Sequence, residues 1–383
     1  MPVPTDAIRA AVIATFVFGA APAFGAGLNQ EGADPLGLLQ ADSVVGLEVS
    51  GTLRRPSSGL SDAQNGYGWT GSTRSGANPP RYGAAIAARA RVLDSGDCMA
   101  RAHQPYGRWE RRDAGWAAAN DFAESRLETG AVDAACSWRF ALDGTARLRV
   151  IGGVRAGMME VYHQLGLPAH LAFHLTSDKI AFGWRAGLSY EDEGLRLSAL
   201  YTAPMTYSLT GAQYTNGARG AGTIATDVTM PASVALRAER DLAPGWRIAA
   251  DAEWTQWSAF DAMRVSGVSL PGGATGVASF ATGFDDTLSF AGSAEHDLSE
   301  SWTVGATVRW DQGVGGAITD LVTVRGKVAR RLGAHSLLEL SGTVDWQMPG
   351  ETSGVDAVTG RSWSYRAQGG PSFGAGVRLV LGF

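Results

Sequence analysis

The sequence predicts an all-β chain, a 14-stranded antiparallel transmembrane β-barrel with a short N-terminal plug segment. Three observations carry that expectation. Apolar and polar residues alternate with period two, connections sort by length onto two sides, and the chain has an export-type start and an aromatic finish. The alternation is strongest around Met230 to Ser258, MPASVALRAERDLAPGWRIAADAEWTQWS. Val228, Met230, Ala232, Val234, Leu236 and Ala238 fall on one face, with Arg237 and Glu239 on the other. After the turn Asp241 to Gly245, Trp246, Ile248, Ala250, Ala252 and Trp254 share a face, and Arg247, Asp251 and Glu253 share its opposite. Strict alternation marks a strand between two different solvents.

Composition narrows the class. The 383 residues include 51 glycines and 12 tryptophans, and this does not suit a two-domain soluble enzyme. The net charge of −5 predicts no nucleic-acid partner. Past residue 30 no run of 18 apolar residues occurs, which argues against a helical membrane protein.

Residues 1–25 read as a secretory signal, with Arg9 ahead of the apolar run Ala10 to Ala21 and small residues after it. Ala23 and Gly25 fit cleavage before Ala26; Ala21 and Ala23 fit cleavage before Phe24; a short membrane anchor is the alternative. Residues 26–42 form the short plug or tail, and 43–383 the barrel. The last segment, FGAGVRLVLGF, places Phe373, Ala375, Val377, Leu379, Leu381 and Phe383 on one face. An exported chain with such an end resembles bacterial outer-membrane barrels, whose assembly machinery reads the terminal aromatic, here Phe383.

The strands expected in order are 43–55, 81–93, 97–106, 121–139, 145–162, 179–190, 194–209, 225–240, 245–265, 281–297, 301–312, 320–331, 335–347 and 372–383. Short connections (94–97, 142–144, 191–194, 241–245, 297–301, 331–334) alternate with long ones (56–80, 107–120, 163–178, 210–224, 266–280, 313–319, 348–371). Transmembrane barrels show this asymmetry, with tight turns on the periplasmic side. Trp246 and Trp254 lie eight residues apart on one face, as do Trp302 and Trp310. Eight strand residues span about 26 Å, or about 20 Å along the normal at a tilt of about 40°, near the height of an apolar band between aromatic girdles. The opposite faces carry both charge signs, including Arg149, Arg155, Arg185, Arg309 and Asp311, which would line a watery, mutually neutralising lumen. Cys98 and Cys136 sit on neighbouring strands in an oxidising compartment and can bridge, or remain two thiols.

At these residues the chain resembles the FadL/TodX family of outer-membrane long-chain fatty acid and hydrocarbon transporters. The similarity is carried by AFGWRAGLSYEDEGLRLSALYTAPMTYSLTG (181–211), Met230-Pro231-Ala232-Ser233, Glu253-Trp254-Thr255-Gln256-Trp257-Ser258, Gln104-Pro105-Tyr106-Gly107 and Val308-Arg309-Trp310-Asp311-Gln312. The resemblance implies a barrel of the bacterial outer membrane that is not an enzyme, needs no cofactor or metal, and works as a monomer. It implies passive uptake: extracellular loops capture a long-chain fatty acid or hydrocarbon, which passes to a lumen pocket and leaves laterally into outer-membrane lipid near the third strand.

Three sites follow. Gln104, Pro105, Tyr106 and Gly107 would form the lateral opening, because Pro105 has no N–H to give the ladder. The resemblance places a ligand-carboxylate contact at Arg155, whose guanidinium offers two donors. In loop 163–178, Leu165, Leu167, Leu171, Phe173 and Leu175 are expected to expose apolar surface for capture. His163, His170 and His174 lack a cysteine or carboxylate at ligand spacing and are not read as a metal site. The family's longer plug with its Asn-Pro-Ala motif is missing. Where members carry Lys before Asp near the tenth strand, this chain has Phe284-Asp285-Asp286, without the basic partner. The alternative function is a structural or general diffusion barrel; a barrel enzyme is disfavoured because no Gly-x-Ser-x-Gly motif occurs.

Overall fold

The structure is a computed structural model that describes residues 37–40, 45–55, 59–68, 70–76, 79–113, 115–166, 170–260, 262–269, 274–315, 318–355 and 360–382. The signal segment 1–25, Leu167 and Phe383 lie outside the described residues. Fourteen antiparallel wall strands form a closed barrel. In order they are Val45–Arg55; Arg81–Leu93; Gly96–His103 with Gly107–Arg111; Glu124–Ala141; Arg147–Leu165; Leu171–Ser177 with Ala181–Asp192; and Leu195–Thr202 with Met205–Thr215. The second half comprises Ala218–Met230 with Ser233–Ala243; Trp246–Thr255 with Ala262–Ser269; Thr275–Ala281 with Thr287–Asp297; Trp302–Asp311; Leu321–Arg331; Leu337–Gln347; and Gly370–Gly382. The last strand pairs with the first, Gly46 opposite Gly382 and Arg55 opposite Phe373, which closes the ring.

The outer wall is apolar near the short-turn rim and through the middle. Val154, Phe182, Trp184, Leu236, Phe290, Val308 and Leu340 are all exposed there. Exposed apolar area on this scale is stable only in lipid, since each buried Å² is worth about 25 cal/mol. Trp138, Trp246 and Trp302 mark one level of the band. Trp254, Trp310 and Trp346 mark the other, with Trp310 stacked on Phe290 and opposite Val322, itself opposite Trp346.

Six wall strands are interrupted, and in the sixth to tenth the interruptions lie side by side: 178–180, 203–204, 231–232, 256–261 and 282–286. Above this seam, toward the long-loop rim, the wall inverts. Val228 and Met230 are buried while Asp227 is exposed; below it Leu236 is exposed and Arg237 bonds Asp251 inside. Residues 231–232 leave strand conformation and so exchange the faces, as a register slip does. This corrects the expectation of a single apolar face from Val228 to Ala238. Thr176, Thr206, Arg264 and Ser266 are likewise exposed above the seam. On this side of the barrel the wall is thus lipid-compatible below the seam and, apart from the exposed Val277, water-compatible above it.

The strands are also longer than expected. Of the expected loop 163–178 only 166–170 connects strands, and 210–224 reduces to a tight hairpin at Asn216-Gly217. Both turn residues have positive φ, 51° and 82°, the geometry that Asn-Gly favours. Two genuinely long loops build their own sheet: Leu60–Asn65 pairs with Ser362–Ala367, which pairs with Gly350–Val355. With Trp116 to Ala119, these pack into a separate apolar cap at the long-loop rim. Near the short-turn end, Gly37–Gln40 forms a 3-10 turn, and Leu39 is buried in the lumen against Ala87, Met99, Ala135 and Ile151.

Candidate functional site

The lumen has two tiers. The lower is a ring of paired charges, because a buried charge is tolerated only with a partner. Arg89 bonds Asp97 at 2.7 Å, Arg237 bonds Asp251 at 2.9 Å, Arg309 bonds Asp311 at 2.8 Å, and Arg325 bonds Glu339 at 2.7 Å. Asp133 gathers three basic groups. Arg155 Nε donates to it at 3.2 Å, Arg185 Nη1 donates at 2.9 Å, and His103 Nε2 lies 2.9 Å away.

The upper tier is apolar. Met159, Val161, Phe173, Leu175, Met205, Tyr207 and Leu209 from the fifth to seventh strands pack with Ile224, Val228, Met230, Met263 and Val265 from the eighth and ninth. An aromatic chain crosses this tier. Tyr106 meets Trp257 edge-on with centroids 6.1 Å apart, and Trp257 meets Phe284 at 6.1 Å, which also contacts Phe260 at 5.8 Å. Trp257 stands in a 3-10 turn, Trp257–Ala259, that interrupts the ninth strand. Met159 stands four residues above Arg155 on the same inward face, so the apolar tier rests directly on the Asp133 cluster.

The third strand breaks where the two tiers meet. His103 lies opposite Ala131 and Gly107 opposite Glu128, so four steps on the third strand face three on the fourth. The extra residue is accommodated at Gln104 and Pro105, outside strand conformation. Thr129 then takes over the bonding: its N–H donates to the Tyr106 carbonyl, and the Tyr106 N–H donates to its hydroxyl at 2.9 Å. On the other side, pairing with the second strand stops at Ala85 opposite His103, and Gly107–Arg111 pairs with the fourth strand. Among the described residues, the ladder between the second and third strands does not extend to Arg81 to Ala84, which pair with the first strand.

The capture-loop expectation is corrected. Leu165, Phe173 and Leu175 are buried strand residues of the upper tier, and Leu171 packs against its edge; none is an exposed loop residue. Arg155 is buried in the lumen and bonded to Asp133. Cys98 and Cys136 are register partners joined by a disulfide, S–S 2.01 Å. His163, His170 and His174 go separate ways: His163 lies 3.3 Å from the Ser125 hydroxyl, His174 lies 3.1 Å from Glu160, and the backbone N–H of His170 donates to Asn216. Sequence reasoning missed Trp257, Phe260 and Phe284. The signal available was a third aromatic, Trp257, out of phase with Trp246 and Trp254.

A family profile described as outer membrane protein transport protein (OMPP1/FadL/TodX) matches residues 100–319, more than half of the chain. Solved structures match nearly all of it. A Pseudomonas aeruginosa FadL homologue superposes with TM-score 0.74 at 14% identity, covering 96% of this chain and 100% of its own. The Ralstonia pickettii toluene transporter TbuX gives 0.64 at 16%, covering 96% and 98%, and the P. putida toluene transporter TodX 0.63 at 15%, covering 90% and 92%. No protein with a curated description matches the sequence.

Proposed function

Because the chain belongs to the OMPP1/FadL/TodX family, and so is a non-enzymatic outer-membrane channel for hydrophobic compounds, we propose that it passively takes up long-chain fatty acids or similar compounds and releases them laterally into the membrane beside the third strand. One observation carries this reading: the apolar tier ends at Tyr106, inside the break where the third strand has lost its ladder to the second. A ligand leaving there enters lipid and keeps its apolar contacts. Leaving through the charged ring would forfeit about 0.8 kcal/mol per CH₂. The Asp133 cluster beneath the tier, with Arg155, Arg185 and His103 around one carboxylate, suits a carboxylate head lodged below an apolar tail. TbuX and TodX are toluene transporters, so an aromatic hydrocarbon belongs in the same test. Labelled oleate and labelled toluene are offered to a transporter-null strain with and without this protein. Expression should accelerate uptake of oleate, and uptake of sugars in place of both would overturn the reading.

A further inference from the structure

Among the described residues, the apolar tier contains a polar group that packing does not account for. The Trp257 side chain is 0% exposed, and its indole Nε1–H has no hydrogen-bond partner among the described residues. A buried donor left unmade costs about 1–3 kcal/mol, and a phenylalanine would fill an apolar cluster without that penalty. Its place in the fold is specific. The 3-10 turn that holds it opens the ladder between the ninth and tenth strands, from Thr255 opposite Thr287 to Ala262 opposite Ala281. Across that gap the walls are joined by the Ser258 N–H donating to Asp286, the Thr282 hydroxyl donating to the Phe260 carbonyl, and the aromatic edges of Trp257, Phe260 and Phe284. On its other side the Trp257 ring meets Tyr106 in the break of the third strand.

We propose that Trp257 is a specificity-determining ligand contact: its indole N–H donates to a neutral oxygen of a hydrophobic ligand, such as an ester or carbonyl, as the ligand passes through the aromatic chain toward Tyr106. This rests on the uptake reading above and adds a chemical class to it. Indole donates and cannot accept, so the site favours oxygenated hydrophobes over pure hydrocarbons of the same length.

The test is equilibrium binding of radiolabelled methyl palmitate and hexadecane to purified protein, wild type and Trp257→Phe, with heat-modifiable gel migration to confirm that both are folded. Trp257→Phe should weaken methyl palmitate roughly three- to tenfold, the range of one net hydrogen bond, and leave hexadecane within twofold. Equal weakening of both ligands, or unchanged methyl palmitate, would overturn the role of the N–H while leaving the uptake reading intact. Wild type that binds neither ligand would overturn the Trp257 role, and the oleate uptake assay decides the uptake reading separately. Trp257→Ala serves as the packing control and should weaken both ligands, methyl palmitate by the further roughly three- to tenfold that the lost N–H accounts for.

Discussion

At the level of single residues, the cap at the long-loop rim contains an acid in an unusual state. Burial pushes the Asp121 carboxyl up to about 7, although the Tyr365 hydroxyl donates to it at 2.9 Å and Arg112 is nearby. Its folded value stands above the unfolded one, so the contribution to cap stability is fully present below the ordinary carboxylate range. That contribution is lost as pH rises toward and through about 7. Hydrogen-exchange protection in 60–65 and 362–367, corrected for the intrinsic pH dependence of exchange, should therefore fall between about pH 4 and 7 in the wild type, and Asp121→Asn should flatten that slope. Arg155 makes a different prediction. It is paired with Asp133, yet Arg185 and His103 share that carboxylate and can hold it when Arg155 is gone. Arg155→Ala should thus fold, and should weaken oleate binding about tenfold while leaving an alkane nearly unchanged, as expected for one charge-assisted contact. Equal effects on both ligands would make Arg155 purely structural.

Among the elements, the third strand carries the sharpest expectation. Deleting Pro105 removes the extra residue between His103 and Gly107 and matches the count on the fourth strand. The ladder to the second strand can then run on past Ala85. Oleate uptake should drop severalfold while the barrel still shows heat-modifiable migration; undiminished uptake would sink the lateral route. Pro105 was legible in the sequence because a missing N–H is a local fact. The wall strands were legible where one face meets lipid, as in Trp302 to Trp310, whose alternation admits one reading. Above the seam that logic fails. Leu165, Phe173 and Leu175 alternate with Gln164, Ala172 and His174, which is strand periodicity, but polar-out and apolar-in is also what a loop packed on a barrel would show. The phase change in the eighth strand was hidden because Val228 and Met230 continue the even-numbered apolar series of Val234 and Leu236 across Pro231. Only the proline marks the exchange. The turn at Asn216-Gly217 carried a hairpin signal that could have corrected the loop assignment.

For the whole molecule, the inversion at the seam means that one continuous wall satisfies two environments. The charged ring and apolar tier fill different heights of one lumen, so a ligand is not required to pass through both. The placement of the disulfide has a separate consequence. Cys98 and Cys136 alternate with Asp97, Met99, Ala135 and Ser137, which are buried inside, so the sulfurs lie on the outer wall, two residues from the girdle residue Trp138. In the membrane that position is covered by acyl chains, out of reach of water-soluble thiol chemistry. Tris(2-carboxyethyl)phosphine added to intact outer membranes should leave the bridge closed, and the same reagent should open it once the protein is denatured. The same shielding applies to oxidation, so the bridge has to close before the hairpin of the third and fourth strands is enveloped by lipid. The outward-facing bond thus records an order of events: the two strands meet in register first, and the bilayer surrounds them afterwards.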